Sequence, residues 1–357
     1  MLMLEITPIS SDRATPMPPL KSEPIVPLYH PTSVLLVDDD ESFLRSLQLV
    51  LGDGFECFTF GNASQAIAFL RAEPAPFATL RSGAHEDEDA LMEHIRDPEQ
   101  RKLHPKVSRL PRVFADDRRF SRPSVVVADQ TMPGLSGLDM LDALRDLPQR
   151  KLLLSGTVDE DRVRQAVATG QIDAFQSKQH PDLHDSLIAH LKALQLDYFG
   201  AVTRPFGPAL ATGDTGFLRS VAFGQAFARF KSQHGIIEHC VLMQPPGILG
   251  LDECGAPAIL LVADDDYRQA SFEIAQAEGA PMDLLRQLAK PGKLALFPTA
   301  TGFYSRSIGR SWNQFIWTSA GLGHGGLQTA TISNPDVVRQ VCGSVSSYAE
   351  HRLRRLN

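Results

Sequence analysis

Two short apolar runs in this chain end in carboxylates. Ser33-Val34-Leu35-Leu36-Val37 stops at Asp38-Asp39-Asp40, and Ser124-Val125-Val126-Val127-Ala128 stops at Asp129. Branched runs of this length suit strands buried on both faces of a parallel sheet, and open α/β sheets place their ligand sites at the carboxyl ends of the strands. Acids delivered together to that edge predict a divalent-cation pocket with an extra carboxylate free to be modified. Asp38, Asp39 and Asp129 supply hard oxygen ligands, which suit Mg²⁺ retaining several waters. Ser155 closes the later run Leu152-Leu153-Leu154, and Lys178 follows Ala174-Phe175-Gln176-Ser177. Both therefore reach the same crevice, where a cation and a lysine would offset the charge of a phosphoryl group moving to a carboxylate. Singly, a strand-end acid is usually a helix cap and a strand-end lysine is usually solvated. Five such residues in one sheet make that plainer reading a poor one.

The elements that must position them follow a regular order. Phe43, Leu44, Leu47, Val50 and Leu51 recur at helical spacing until Gly52-Asp53-Gly54 breaks the pattern. Phe55 to Phe60 suits a short strand, and Asn62 is placed to cap a helix carrying Ala66, Ile67, Phe69 and Leu70. Leu138, Leu141 and Leu144 mark another helix. Val163, Ala166 and Val167 form one stopped by Gly170, and Leu183, Leu187, Leu191 and Leu194 build a closing one. Five β/α units imply an α/β fold with a doubly wound, five-stranded parallel sheet.

Val37-Asp38-Asp39, Asp129-x-x-Met132-Pro133-x-x-x-Gly137, Leu154-Ser155-Gly156 and Phe175-x-x-Lys178 together resemble the receiver domain of two-component response regulators, over residues 33 to 195. The resemblance implies a flavodoxin-like receiver with Asp129 as phosphoacceptor and Asp38, Asp39 and Asp129 as Mg²⁺ ligands. It implies Ser155 as the hydroxyl that follows the phosphoryl group, Phe175 as the aromatic switch and Lys178 as the phosphate-pairing cation. Gly170-x-Ile172 looks like a subgroup with a glycine-isoleucine variant there, and Gln179 departs from the proline the family usually carries after the lysine. The implied partner is a histidine kinase or phosphotransfer protein acting in the cytoplasm, with a homodimer as one signalling state. No enzymatic activity is expected beyond self-phosphorylation and dephosphorylation.

Composition bounds the remainder. The chain has 357 residues, 43% hydrophobic and 22% charged, with a net charge of −7. That is an ordinary globular composition for about two domains. No apolar run approaches the ~20 residues of a membrane span, and no signal core is evident. The negative charge argues against nucleic acid as the whole protein's partner. Cys57, Cys240, Cys254 and Cys342 have neither metal-ligand spacing nor a disulfide framework. The expected organisation is a disordered, Pro-rich arm (1–30), a receiver (31–196) with a long insertion at about 72–122, a linker with a helix (197–235), and an α+β output or sensory domain (236–357). The insertion has an acidic first half, with Glu86 to Asp89, and a basic second half that includes Arg112, Arg118, Arg119 and Arg122. It reads either as a solvated loop or as an arm contacting a partner or nucleic acid.

Beyond the receiver, Asp214 or Thr215 is placed to cap a helix through Leu218, Phe223 and Phe230, either a dimerising stalk or a packing helix. Strand candidates follow at 241–243, 248–251, 258–262, 294–297, 315–318 and 327–332. Asn334-Pro335 is expected to open one last helix running through Val345 and Leu353. Gly321-x-Gly323-His324-Gly325-Gly326 reads as a loop, and Asp264-Asp265-Asp266 as a helix-capping cluster. The hairpin from Gly247 to Val262 faintly resembles the opening of sensor domains of the Per-Arnt-Sim type. The expected function is a phosphorylation-dependent response regulator relaying to a protein-interaction or ligand-sensing domain. The alternatives are a receiver-gated C-terminal enzyme and a nucleic-acid-contacting regulator that uses the basic insert.

Overall fold

The computed structural model describes residues 25–52, 54–73, 110–156, 160–207, 216–299, 301–323 and 326–356. Most of the expected arm, the first part of the insertion, residues 208–215 and His324 lie outside the described residues. In chain order the first elements are β1 (Leu28–Tyr29), β2 (Ser33–Val37), α1 (Glu41–Leu51), β3 (Glu56–Phe60) and α2 (Ala63–Ala72). Then come β4 (Pro123–Asp129), α3 (Gly137–Ala143), β5 (Arg150–Ser155), α4 (Glu160–Ala168), β6 (Ala174–Ser177) and α5 (Leu183–Thr203).

Strands β2 to β6 form a parallel sheet in the order β3-β2-β4-β5-β6. Period-two alternation sends Val34, Leu36, Val127 and Leu154 to the face covered by α1 and α5. Leu35, Val37, Val126 and Leu153 go to the face covered by α2, α3 and α4. Both faces are buried, which explains why these strands read as continuous apolar runs. The register pairs Val37 with Ala128, Asp129 with Leu154 and Ser155 with Ser177, so the strands end level at one edge. This is the doubly wound sheet the β/α order implied.

The second domain continues with α6 (Val221–His234), β7 (Glu238–Leu242), β8 (Gly247–Leu251), β9 (Pro257–Ala263), α7 (Asp265–Ala277) and α8 (Met282–Leu288). It ends with β10 (Lys293–Ala295), β11 (Ile316–Thr318), β12 (Ala320–Gly321), β13 (Gln328–Ile332), α9 (Pro335–Cys342) and α10 (Tyr348–Leu356). Its main sheet is antiparallel in the order β1-β7-β8-β9-β13-β12, and β10 pairs with β11 separately.

Several placements differ from the sequence reading. Leu28 and Tyr29, assigned to the arm, pair with Cys240 and His239 at the edge of the second sheet. The end of the insertion is structured: Leu110, Val113 and Phe114 are buried in the second domain's core. Arg119 explains why. Its guanidinium lies over the Phe120 ring at 3.9 Å and meets Glu238 of β7 through Nε and Nη2 at 2.7 and 2.9 Å. It also donates to the carbonyls of Phe114, Asp116 and Ser346. Helix α6 is capped by Ser220, whose hydroxyl accepts from the Phe223 amide, rather than by Asp214 or Thr215, which lie outside the described residues. The single last helix expected from Asn334 is two. Gly343, at φ 65°, ends α9 in a conformation that side chains disfavour, and α10 starts afresh.

Candidate functional site

The level ends of β2, β4 and β6 bring the acids and the lysine together. Asp38 and Asp129 are 3% and 5% exposed, while Asp39 faces solvent. One carboxylate oxygen from each of the three lies within 4.8 Å of the others. Lys178 Nζ stands 2.6 Å from Asp38 Oδ2 and 2.8 Å from Asp129 Oδ1. The opposite oxygens are held by the backbone: Asp38 Oδ1 accepts from the Asp40 amide and Asp129 Oδ2 from the Thr131 amide, each at 2.9 Å. Lys178 therefore reaches both acids although Gln179, not proline, follows it.

Helix starts fix the neighbouring backbone. Asp40 caps α1, accepting from the Ser42 and Phe43 amides. Ser136 caps α3, and Gly137 enters that helix so tightly against β4 that an added Cβ would stand 2.2 Å from the Asp129 carbonyl oxygen. That close approach gives the glycine of the Met132-Pro133-x-x-x-Gly137 run its physical reason. Ser155 is buried at the end of β5, and its carbonyl accepts from the Lys178 amide at 2.8 Å. Phe175 is half-buried on the face covered by α2, α3 and α4.

Charge balance at the site is uneven, with three acids around one ammonium. Burial pushes the Asp38 carboxyl above its ordinary range, opposed by its hydrogen bonds from Lys178 and Asp40 and reinforced by the Asp129 charge. Burial pulls Lys178 downward, but its hydrogen bonds to Asp129 and Asp38 outweigh that, so it is held protonated above the usual lysine range. The excess negative charge thus falls on the carboxylates. Such a set of hard oxygen donors fits Mg²⁺. The sequence reading missed Phe43, whose ring lies 4.5 Å from Lys178 Nζ. Its helical spacing marked it only as a packing residue.

Along its length the chain superimposes on the response regulator LqsR of Legionella pneumophila, with a TM-score of 0.68 at 22% identity, covering 93% of this chain and 96% of that one. The chain has that regulator's fold. The CheY-like receiver domain protein of Methanospirillum hungatei JF-1 matches at 16% identity and TM-score 0.31, over 47% of this chain and 96% of its own. The Francisella response regulator 1452 receiver domain matches at 16% identity and TM-score 0.31, over 46% and 98%. No family model and no curated protein matches the chain. Among the described residues, no helix is long and apolar enough to cross a membrane.

Proposed function

We propose that this chain is a cytoplasmic response regulator that accepts a phosphoryl group on Asp129 and relays that state to its C-terminal domain. The observation that carries the reading is Lys178 paired with both buried acids of a three-carboxylate cluster. The donor would be a histidine kinase or phosphotransfer protein. An Asp129 oxygen forms the new O–P bond as the donor's P–N bond breaks, and the electron pair leaves with the donor nitrogen. Mg²⁺, held by Asp38, Asp39 and Asp129, would supply the positive charge that lets an anionic group approach three acids.

The remaining roles belong to the chain's own side chains. Thr131 N–H and Lys178 orient the two Asp129 oxygens before transfer. Afterwards Lys178 pairs with the phosphoryl group, Ser155 follows it, and Phe175 exchanges between two arrangements. The bias available is the differential stability of those arrangements, about a few kcal/mol. It would be read out as dimerisation, or as altered exposure of a protein-interaction or ligand-sensing domain.

The test uses the full chain with an acyl phosphate as donor. Wild type should take up one hydroxylamine-labile phosphoryl group only when Mg²⁺ is present, and Asp129→Asn should take up none. Equal labelling of Asp129→Asn, or labelling indifferent to Mg²⁺, would overturn the assignment.

A further inference from the structure

Away from the acidic cluster, α1, β3 and α10 line an open cleft of about 360 Å³ between the two domains. That lies near the low end of small-molecule sites, roughly 300–1,000 Å³. Phe55, Glu56 and Cys57 wall it on the receiver side, and Tyr348, Arg352 and Arg355 on α10.

Its charges are not balanced. Glu56, with a side chain 9% exposed, is already matched: His351 Nε2 stands 2.8 Å from one carboxylate oxygen and Arg355 pairs with the other. Arg352 is less committed. Its closest described carboxylate is Glu253 at 3.7 Å, at the solvent rim, and its side chain is 43% exposed. The cleft therefore carries surplus positive charge at its α10 wall. The rest of the lining includes Gln48, the largely buried Phe55, the half-buried Tyr348 packed on Phe120 and His351, and the Cys57 thiol, which burial keeps neutral at physiological pH by pushing its pKa up to about 12.

A guanidinium fork matches a carboxylate in a bidentate way, and ring faces accept a flat apolar body. We propose that this interdomain cleft binds a small, flat carboxylic acid, its carboxylate on Arg352 and its body against the part of the lining formed by Phe55 and Tyr348. Because the walls come from different domains, such a ligand binds only when α10 is docked and therefore favours docking. The site does not depend on the phosphoryl reading, and failure of either leaves the other standing.

Benzoate is the probe, titrated into the full chain by calorimetry, with benzylamine as the charge-reversed control. Benzoate should bind saturably, benzylamine should not, and hydrogen exchange across residues 348–356 should slow with benzoate. Arg352→Ala removes a half-exposed side chain, so the fold should persist while affinity falls roughly tenfold or more. Arg352→Gln serves as a second, milder variant with the same expected loss. Absence of saturable benzoate binding to wild type would overturn the proposal. So would equal binding of benzylamine, or unchanged affinity in whichever Arg352 variant folds.

Discussion

Asp38 shows how a site can work against the fold that carries it. Buried beside Asp129 and facing one shared ammonium, its carboxyl is held above its unfolded value. A raised acid favours the native state at low pH, and that contribution is lost as pH rises through the folded pKa. At neutral pH the ionised group therefore costs stability. Asp38→Asn keeps an acceptor for the Asp40 amide and removes one charge, so it should stabilise the chain on the order of 1 kcal/mol at pH 7. The gain should vanish near about pH 3, below the ordinary carboxylate range. Urea denaturation at both pH values measures this, and a loss of stability at pH 7 would refute it. These acids were legible in the sequence because each ends a run of residues buried on both faces. Phe43 was not, because a ring that packs and a ring that faces a lysine have the same helical spacing.

At the scale of elements, the second domain is tied to the amino-terminal edge of the parallel sheet, opposite the acids. Arg119 precedes β4 by a few residues and is locked to Glu238 of β7, while α10 reaches Glu56 at the start of β3. Helix α5 joins both cores: Leu187 and Leu191 pack on the parallel sheet, and Tyr198 and Phe199 enter the second core. The parallel sheet was readable because its pattern is local. The end of the insertion was not, because composition does not separate a buried arginine from a solvated one, and the carboxylate that pairs with Arg119 lies 119 positions away. Removing one member of such a pair strands a charge in a site with side chains 1% and 0% exposed. Arg119→Met should therefore cost about 3–5 kcal/mol, whereas Arg119→Met with Glu238→Leu should recover most of that. Denaturant midpoints of the two variants decide the matter. Equal losses in both would mean that Arg119 matters for its packing on Phe120 and its carbonyl contacts, not for the ion pair.

Across the whole molecule, two buried histidines, one on the link between the two sheets and one in β7, make folding sensitive to mild acid. His30 lies on the short link between β1 and β2, edge-on to Phe199 of α5, and its Nδ1 donates to the Pro31 carbonyl at 2.9 Å. His239 sits in β7, stacked on Tyr29 and edge-on to Phe227, with Nε2 3.1 Å from the Val26 carbonyl oxygen. Burial lowers each ring's pKa from 6.5 to about 3. Between those values the unfolded chain binds two protons that the native chain refuses. Stability is thus fully present above about pH 6.5 and falls as pH drops, by roughly 1.4 kcal/mol per pH unit for each ring. Carboxylates in their ordinary range have scarcely begun to protonate between about pH 6 and 5, while the raised Asp38 and Glu238 carboxyls act there in the opposite sense to the histidines. There the two rings should contribute a loss of about 2–3 kcal/mol per pH unit, read by denaturant titration. His239→Gln should roughly halve that slope, because only His30 remains to take up a proton on unfolding. Identical slopes for wild type and His239→Gln would mean that the His239 ring is as basic in the native chain as in the unfolded one, and would refute its burial against Tyr29 and Phe227.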